Sequence, residues 1–138
     1  MGRLVAIDYG LKRTGLAVTD PMKIIASPLE TIPTEQLIDW INKYIQSEDV
    51  EGIILGMPTK LDQSDTHTTV PVKKFYEKLQ DLFPNLTISL EDERFTSKLA
   101  MRSMIAGGMK KKDRRNKANV DKISATIILQ SYMERSGL

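Results

Sequence analysis

The sequence predicts a mixed α/β fold, a sheet with helices on its faces. Three observations predict it. Short apolar runs closed by turn signals occupy residues 3–32, the pattern of strands joined by tight connections. From residue 34 the apolar spacing becomes three and four, which is the helical period. Strand-like and helix-like stretches then alternate, an order that packs helices against a sheet.

Residues 3–9 (RLVAIDY) read as a buried strand closed by Gly10, and 14–19 (TGLAVT) as a second, stopped at Asp20-Pro21. Residues 23–32 (KIIASPLETI) form a third, which Pro28 confines to a sheet edge or a bulge. Their short connections imply an antiparallel meander. Leu37, Ile38, Ile41, Tyr44 and Ile45 mark one face of a helix over 34–48, with Thr34 as its N-cap and Trp40 as a packing residue. Residues 52–57 (GIILGM) form a buried strand ending at Pro58, and 59–69 a polar loop. A helix over 71–83 turns Val72, Phe75, Leu79, Leu82 and Phe83 to one side. Residues 86–92 alternate as a strand, 96–106 read as a short helix, and 107–117 (GGMKKKDRRNK) as a flexible basic loop. The last helix runs from Asn119 to Glu134. The order is β-β-β-α-β-α-β-α-α.

The 138 residues fit one domain spanning 1–138, and 41% hydrophobic residues suffice for a core. With no cysteine there is no disulfide, thiolate metal site or cysteine nucleophile. The single histidine, His67, lies in the polar loop, which argues against a zinc site. No apolar stretch reaches the roughly 18 residues of a membrane span, and the start does not read as a signal peptide. A cytoplasmic protein without a membrane partner is expected. Net charge is +2, yet residues 94–117 alone carry nine basic residues against Asp113. Such a block is a footprint for a polyanion, or else a solvated loop. Aromatic residues make up 6%, and no platform for stacking single-stranded bases is evident.

Three acids carry distinctive neighbourhoods: Asp8 in VAIDYGLKRTGLAVTD, Glu93 in SLEDERFTS and Asp121 in NVDKISATIILQSY. Asp8 and Glu93 fall at predicted strand ends, and Asp121 in the first turn of the last helix. Ligands on such sheets gather at the carboxyl ends of parallel strands, so one cleft could collect all three. Each also has a plainer reading. Asp8 could start a turn, Glu91–Glu93 could be a charged strand end neutralised by Arg94, and Asp121 could favour a helix dipole. Alternation puts Glu91 and Glu93 on one face and Asp92 on the other. Widely separated carboxylates suit a magnesium-dependent nuclease, because hard cations take oxygen ligands and share substrate phosphate. Two such ions roughly 4 Å apart activate a water and stabilise the leaving oxygen. Lys12 and Arg13 could hold a phosphate backbone, and Gly15 permits close backbone approach. Sugar kinases and actin-like ATPases also open on Asp-x-Gly, but they clamp nucleotide between two lobes, and 138 residues make only one.

Taken together, IDYGLKRTGLAVTD, Gly56-Met57-Pro58, DERFTS at 92–97 and VDKISATIILQSY at 120–132 resemble the YqgF/RuvX family. Those are pre-16S rRNA nucleases related to the RuvC Holliday-junction resolvases. The four segments occur in the family's order across nearly the whole chain. The resemblance implies an RNase H-like fold with a mixed five-stranded sheet flanked by helices. It also implies that Asp8, Glu93 and Asp121 are the catalytic, metal-binding carboxylates, with Mg2+ or Mn2+ as cofactor. The expected activity is hydrolysis of structured nucleic acid, with processing of the 5′ end of precursor 16S rRNA as the first reading. Lys12, Arg13, Arg94, Lys110, Lys111, Lys112, Arg114 and Arg115 would position phosphates. The rivals are a Holliday-junction resolvase acting on branched DNA and a non-catalytic nucleic-acid-binding module acting in transcription. A monomer or a homodimer fits the first reading, whereas symmetric cutting of two strands needs a two-fold pair. Two departures stand out: Leu61-Asp62-Gln63-Ser64 replaces the family's usual Asp-Gly, and Ser124 stands where Ala is more usual.

Overall fold

A computed structural model describes residues 2–57, 69–92 and 117–137. Glu93, Arg94, the expected helix over 96–106, the basic residues Lys110, Lys111, Lys112, Arg114 and Arg115, and His67 lie outside the described residues. The elements are β1 (Arg3–Asp8), β2 (Arg13–Thr19), β3 (Ala26–Pro33), a 3-10 turn (Thr34–Gln36), α1 (Leu37–Ser47), β4 (Val50–Met57), α2 (Thr69–Leu82), β5 (Thr87–Asp92) and α3 (Lys117–Arg135).

The five strands lie in the order β3-β2-β1-β4-β5. The pairings β1–β2 and β2–β3 are antiparallel, giving the expected meander. The pairings β1–β4 and β4–β5 are parallel, so β1, β4 and β5 all end at one edge of the sheet. Pro28 sits on the outer strand, next to a register shift between Leu16 and Ala17. Edge and bulge are the two places where a missing backbone N–H costs no ladder bond.

Strand alternation divides the core in two. Val5, Ile7, Leu16, Val18, Ile53 and Leu55 face α1 and α2, where they meet Leu37, Ile41, Val72, Phe75, Leu79 and Phe83. Trp40 packs at the margin of this cluster and stacks on Tyr44 with centroids 4.8 Å apart. Leu4, Ala6, Ala17 and Ile54 face α3, against Ala125, Ile128, Leu129 and Met133. The contacts on this second face are small towards the β1 carboxyl end. Gly15, Ala17, Ser124 and Ala125 are all buried there, so α3 can lie close to β2.

Several expected boundaries shift, two of them because a side chain captures local backbone. The third strand starts at Ala26, not residue 23, because the Asp20 carboxylate accepts the amides of Met22, Ile24 and Ile25 and closes a turn. Thr34 is not the N-cap of α1. It opens a 3-10 turn, and its hydroxyl donates to the Gly10 carbonyl at 2.6 Å. Leu82 leaves the buried face of α2 and is 47% exposed. The last helix begins at Lys117, two residues before its expected start. Asp121 therefore sits in the second turn of α3, beyond the strongest field of the helix dipole. Ile123 and Ile127 are half-buried, whereas Ile128 is fully buried and Tyr132 packs at the edge of the second cluster.

Candidate active site

Asp8 is the last residue of β1, at the edge where the parallel strands end. It has the same parity as Leu4 and Ala6, which pack against α3. The next residue, Tyr9, goes to the other side and lies 4.9 Å from Phe75 of α2, centroid to centroid. Asp8 therefore belongs to the α3 face. Its antiparallel partner across the ladder is Gly15.

Gly15 is where β2 meets α3. A methyl group on Gly15 would lie 2.1 Å from the Asp121 carbonyl oxygen and 2.9 Å from the Lys122 nitrogen. No larger residue fits without parting strand from helix. One ladder pairing and one backbone contact thus link Asp8, through Gly15, to Asp121. Arg13 shares the parity of Gly15 and projects to the same face. Its Nε is 3.4 Å from Asp121 Oδ2, and both side chains are partly exposed. At that length and exposure the pair orients more than it stabilises, contributing at most about 1 kcal/mol. Lys12 is exposed in the preceding turn.

β5 runs parallel to β4 and ends at Asp92, opposite Met57. Its buried acid is Glu91, 6% exposed. Arg135 donates to Glu91 Oε1 from Nε and Nη2 at 3.0 Å, and Ser131 donates to Oε2 at 3.1 Å. Glu91 thus joins β5 to the far end of α3 and has a structural role. Sequence alternation put it on one face with Glu93 but did not single it out. Its partners are 40 and 44 residues away, beyond any local pattern.

Of the expected site residues, Asp8, Asp121 and Arg13 lie at one end of the α3 face, and Lys12 is exposed in the segment just before Arg13. Among the described residues no group of three or more carboxylate or histidine side chains assembles. The two carboxylates offer oxygen donors, which suit a hard divalent cation.

Comparison with known proteins agrees with this architecture. The RuvX family model, described as a Holliday junction resolvase, matches residues 2–135. A protein of Amoebophilus asiaticus named "Putative pre-16S rRNA nuclease" is 53% identical, over 96% of this chain and 94% of its own. One of the same name from Bacteroides fragilis is 51% identical over the full length of both. Among solved structures, Fowlpox virus resolvase with Holliday junction DNA superposes with a TM-score of 0.59 at 13% identity, over 97% of this chain and 98% of that one. Thermus thermophilus RuvC with a Holliday junction substrate gives 0.57 at 14% identity, over 99% and 97%. At such low identity these two speak for the fold, which is RNase H-like. Matched from residue 2 to 135 and half identical to relatives along nearly their whole length, the chain belongs to the RuvX family of nucleases.

Proposed function

We propose that the chain, as one nuclease unit spanning 1–138, is a magnesium-dependent nuclease that trims the 5′ end of precursor 16S rRNA in the cytoplasm. The observation that carries the reading is the contact of Gly15 with the Asp121 backbone. It sets two acids from opposite ends of the sequence on one face, at the edge where ligands of parallel sheets collect. Relatives at 51% and 53% identity that bear the pre-16S rRNA name support the choice of substrate.

In this reading Asp8, Glu93 and Asp121 hold Mg2+ or Mn2+. Glu93 follows β5 directly in sequence. The bound ion supplies positive charge that activates water and offsets charge on the leaving oxygen. The chain's own cations do the rest. Arg13, already beside Asp121, and Lys12 position the phosphate backbone, joined by Arg94, Lys110, Lys111, Lys112, Arg114 and Arg115. Such contacts fix register and carry no base information. Among the described residues no helix is long and apolar enough to cross a membrane.

A second reading, resolution of four-way DNA junctions, is favoured by the description of the matching family model. It requires a two-fold pair of sites. The two readings separate in one assay: a precursor 16S rRNA fragment and a four-way DNA junction, each with magnesium, with Asp8→Asn beside the wild type. Cleavage of the RNA at its mature 5′ end and not of the junction supports the first reading. The opposite preference replaces it with the second.

A further inference from the structure

Thr34, just past β3, is tied to the 10–12 turn and to the start of β2. Its backbone N–H donates to the Lys12 carbonyl at 3.0 Å. Its hydroxyl donates to the Gly10 carbonyl at 2.6 Å. The Thr14 hydroxyl lies 2.9 Å from Thr34 Oγ1. Thr34 gives its hydroxyl proton to a carbonyl, so Thr14 is the donor in that last bond. Thr14 is fully buried, and it faces the α1 side while its neighbours Arg13 and Gly15 face α3. Thr34 itself is anchored from both directions. Pro33 before it pairs with Arg13 in the sheet, and Leu37 after it is fully buried. The 10–12 turn is also folded tightly on itself, since a methyl group on Gly10 would lie 2.3 Å from the Arg13 carbonyl oxygen.

Lys12, in this turn, and Arg13, the first residue of β2 directly after it, are both exposed, and Arg13 lies beside Asp121. An exposed turn between two strands would otherwise sample many positions. A turn held at two carbonyls does not, and preorganised cations lose less entropy when they meet phosphate. We infer that Thr34 is a positioning residue that holds the 10–12 turn so that Lys12 and Arg13 meet a nucleic-acid phosphate beside Asp121. This rests on the nuclease reading and adds the part that orients its phosphate contacts.

The test uses the full chain as wild type, Thr34→Val and Thr34→Ser. Valine keeps the shape but leaves the Gly10 carbonyl and the Thr14 hydroxyl without this partner; serine keeps the hydroxyl. Hydrogen–deuterium exchange over 9–14 reads the tether without any ligand. Binding of a fluorescein-labelled RNA hairpin in EDTA, over a salt series, reads the cations. For Thr34→Val we expect exchange at least about tenfold faster, confined to that segment. Affinity falls about three- to tenfold, and the slope of log affinity against log salt shrinks by about one. Thr34→Ser restores both. A folded Thr34→Val with unchanged exchange or an unchanged slope overturns the inference. If the wild type itself does not bind RNA, the nuclease reading fails and with it the phosphate role. The exchange result still decides whether Thr34 holds the turn.

Discussion

Gly15 lies directly on the peptide of Asp121: a methyl group there would stand 2.1 Å from the carbonyl oxygen and 2.3 Å from its carbon. Both obstacles are backbone, so no side chain can swing aside. Gly15→Ala must push α3 off β2 and separate Asp121 from Asp8. Overpacking of this kind costs about 1–3 kcal/mol, and here stability and cleavage should fall together. Urea denaturation and a cleavage assay on the same preparation check it. A variant as stable and as active as the wild type would show that strand and helix can part without consequence.

Glu91 and Arg135 form a second fastening of α3, at the end of the helix away from Asp121. Arg135 is 59% exposed and Glu91 only 7% at the side chain, so solvent weakens the pair from one side only. Arg135→Ala leaves a buried carboxylate with a donor missing and should cost about 1–2 kcal/mol in urea melts. Adding Glu91→Gln to that variant should recover part of the loss, because the amide carries no charge. Equal stability of Arg135→Ala and wild type would mean the pair contributes nothing.

The element order and the two helical faces were legible because they are written locally: short apolar runs closed by turn signals in β1, β2 and β4, alternation in β5, and a period of three to four in α1 and α2. What was not legible depends on side chains acting across the sequence. Asp20 drew residues 23–25 out of the third strand. Thr34 turned from a helix cap into a tether for Gly10. The same limit applies at the site. Asp8 could be placed at a strand end from LVAID alone. Its relation to Asp121 depends on Gly15, and the Arg13 contact spans 108 residues. Glu93 was nominated by sequence and lies outside the described residues.

The turn at Asp20 should make stability depend on acid. Hydrogen bonds from the backbone, that of Ile25 foremost and then those of Ile24 and Met22, hold the Asp20 carboxyl below its ordinary value of 3.8. The bond from Lys23 likewise lowers Glu51 below 4.5. A depressed folded value means that the contribution is full above the ordinary value and is lost as pH falls through the lower one. Asp20→Ala should therefore lower Tm at neutral pH, and the gap from wild type should close as pH falls from the ordinary value of 3.8 through the depressed one. Thermal melts at the two extremes check it. A gap independent of pH would show that the carboxylate charge is not what holds the turn.

The cations at 110–115 should govern the salt dependence of binding. Replacing Lys110, Lys111, Lys112, Arg114 and Arg115 by Ser should weaken RNA binding. It should also flatten the salt slope by about 0.7 to 0.9 for each phosphate that is no longer neutralised. Affinity measured across a salt series decides it. An unchanged slope would identify the run as a solvated stretch that does not touch phosphate.

The proposed nuclease site depends on Asp8, Glu93 and Asp121 holding the divalent ion together. Its most direct test is cleavage of a precursor 16S rRNA fragment by the wild type and by Asp8→Asn, Glu93→Gln and Asp121→Asn, each titrated with Mg2+. Circular dichroism would establish that every variant is folded. Each exchange is nearly isosteric and removes one charge, so the fold should persist. No cleavage by the wild type is expected without metal, and each variant should lose at least about a hundredfold at saturating Mg2+, more than is typical for residues that only support a ligand. Cleavage at the wild-type rate by any folded variant, or by the wild type in EDTA, would contradict it.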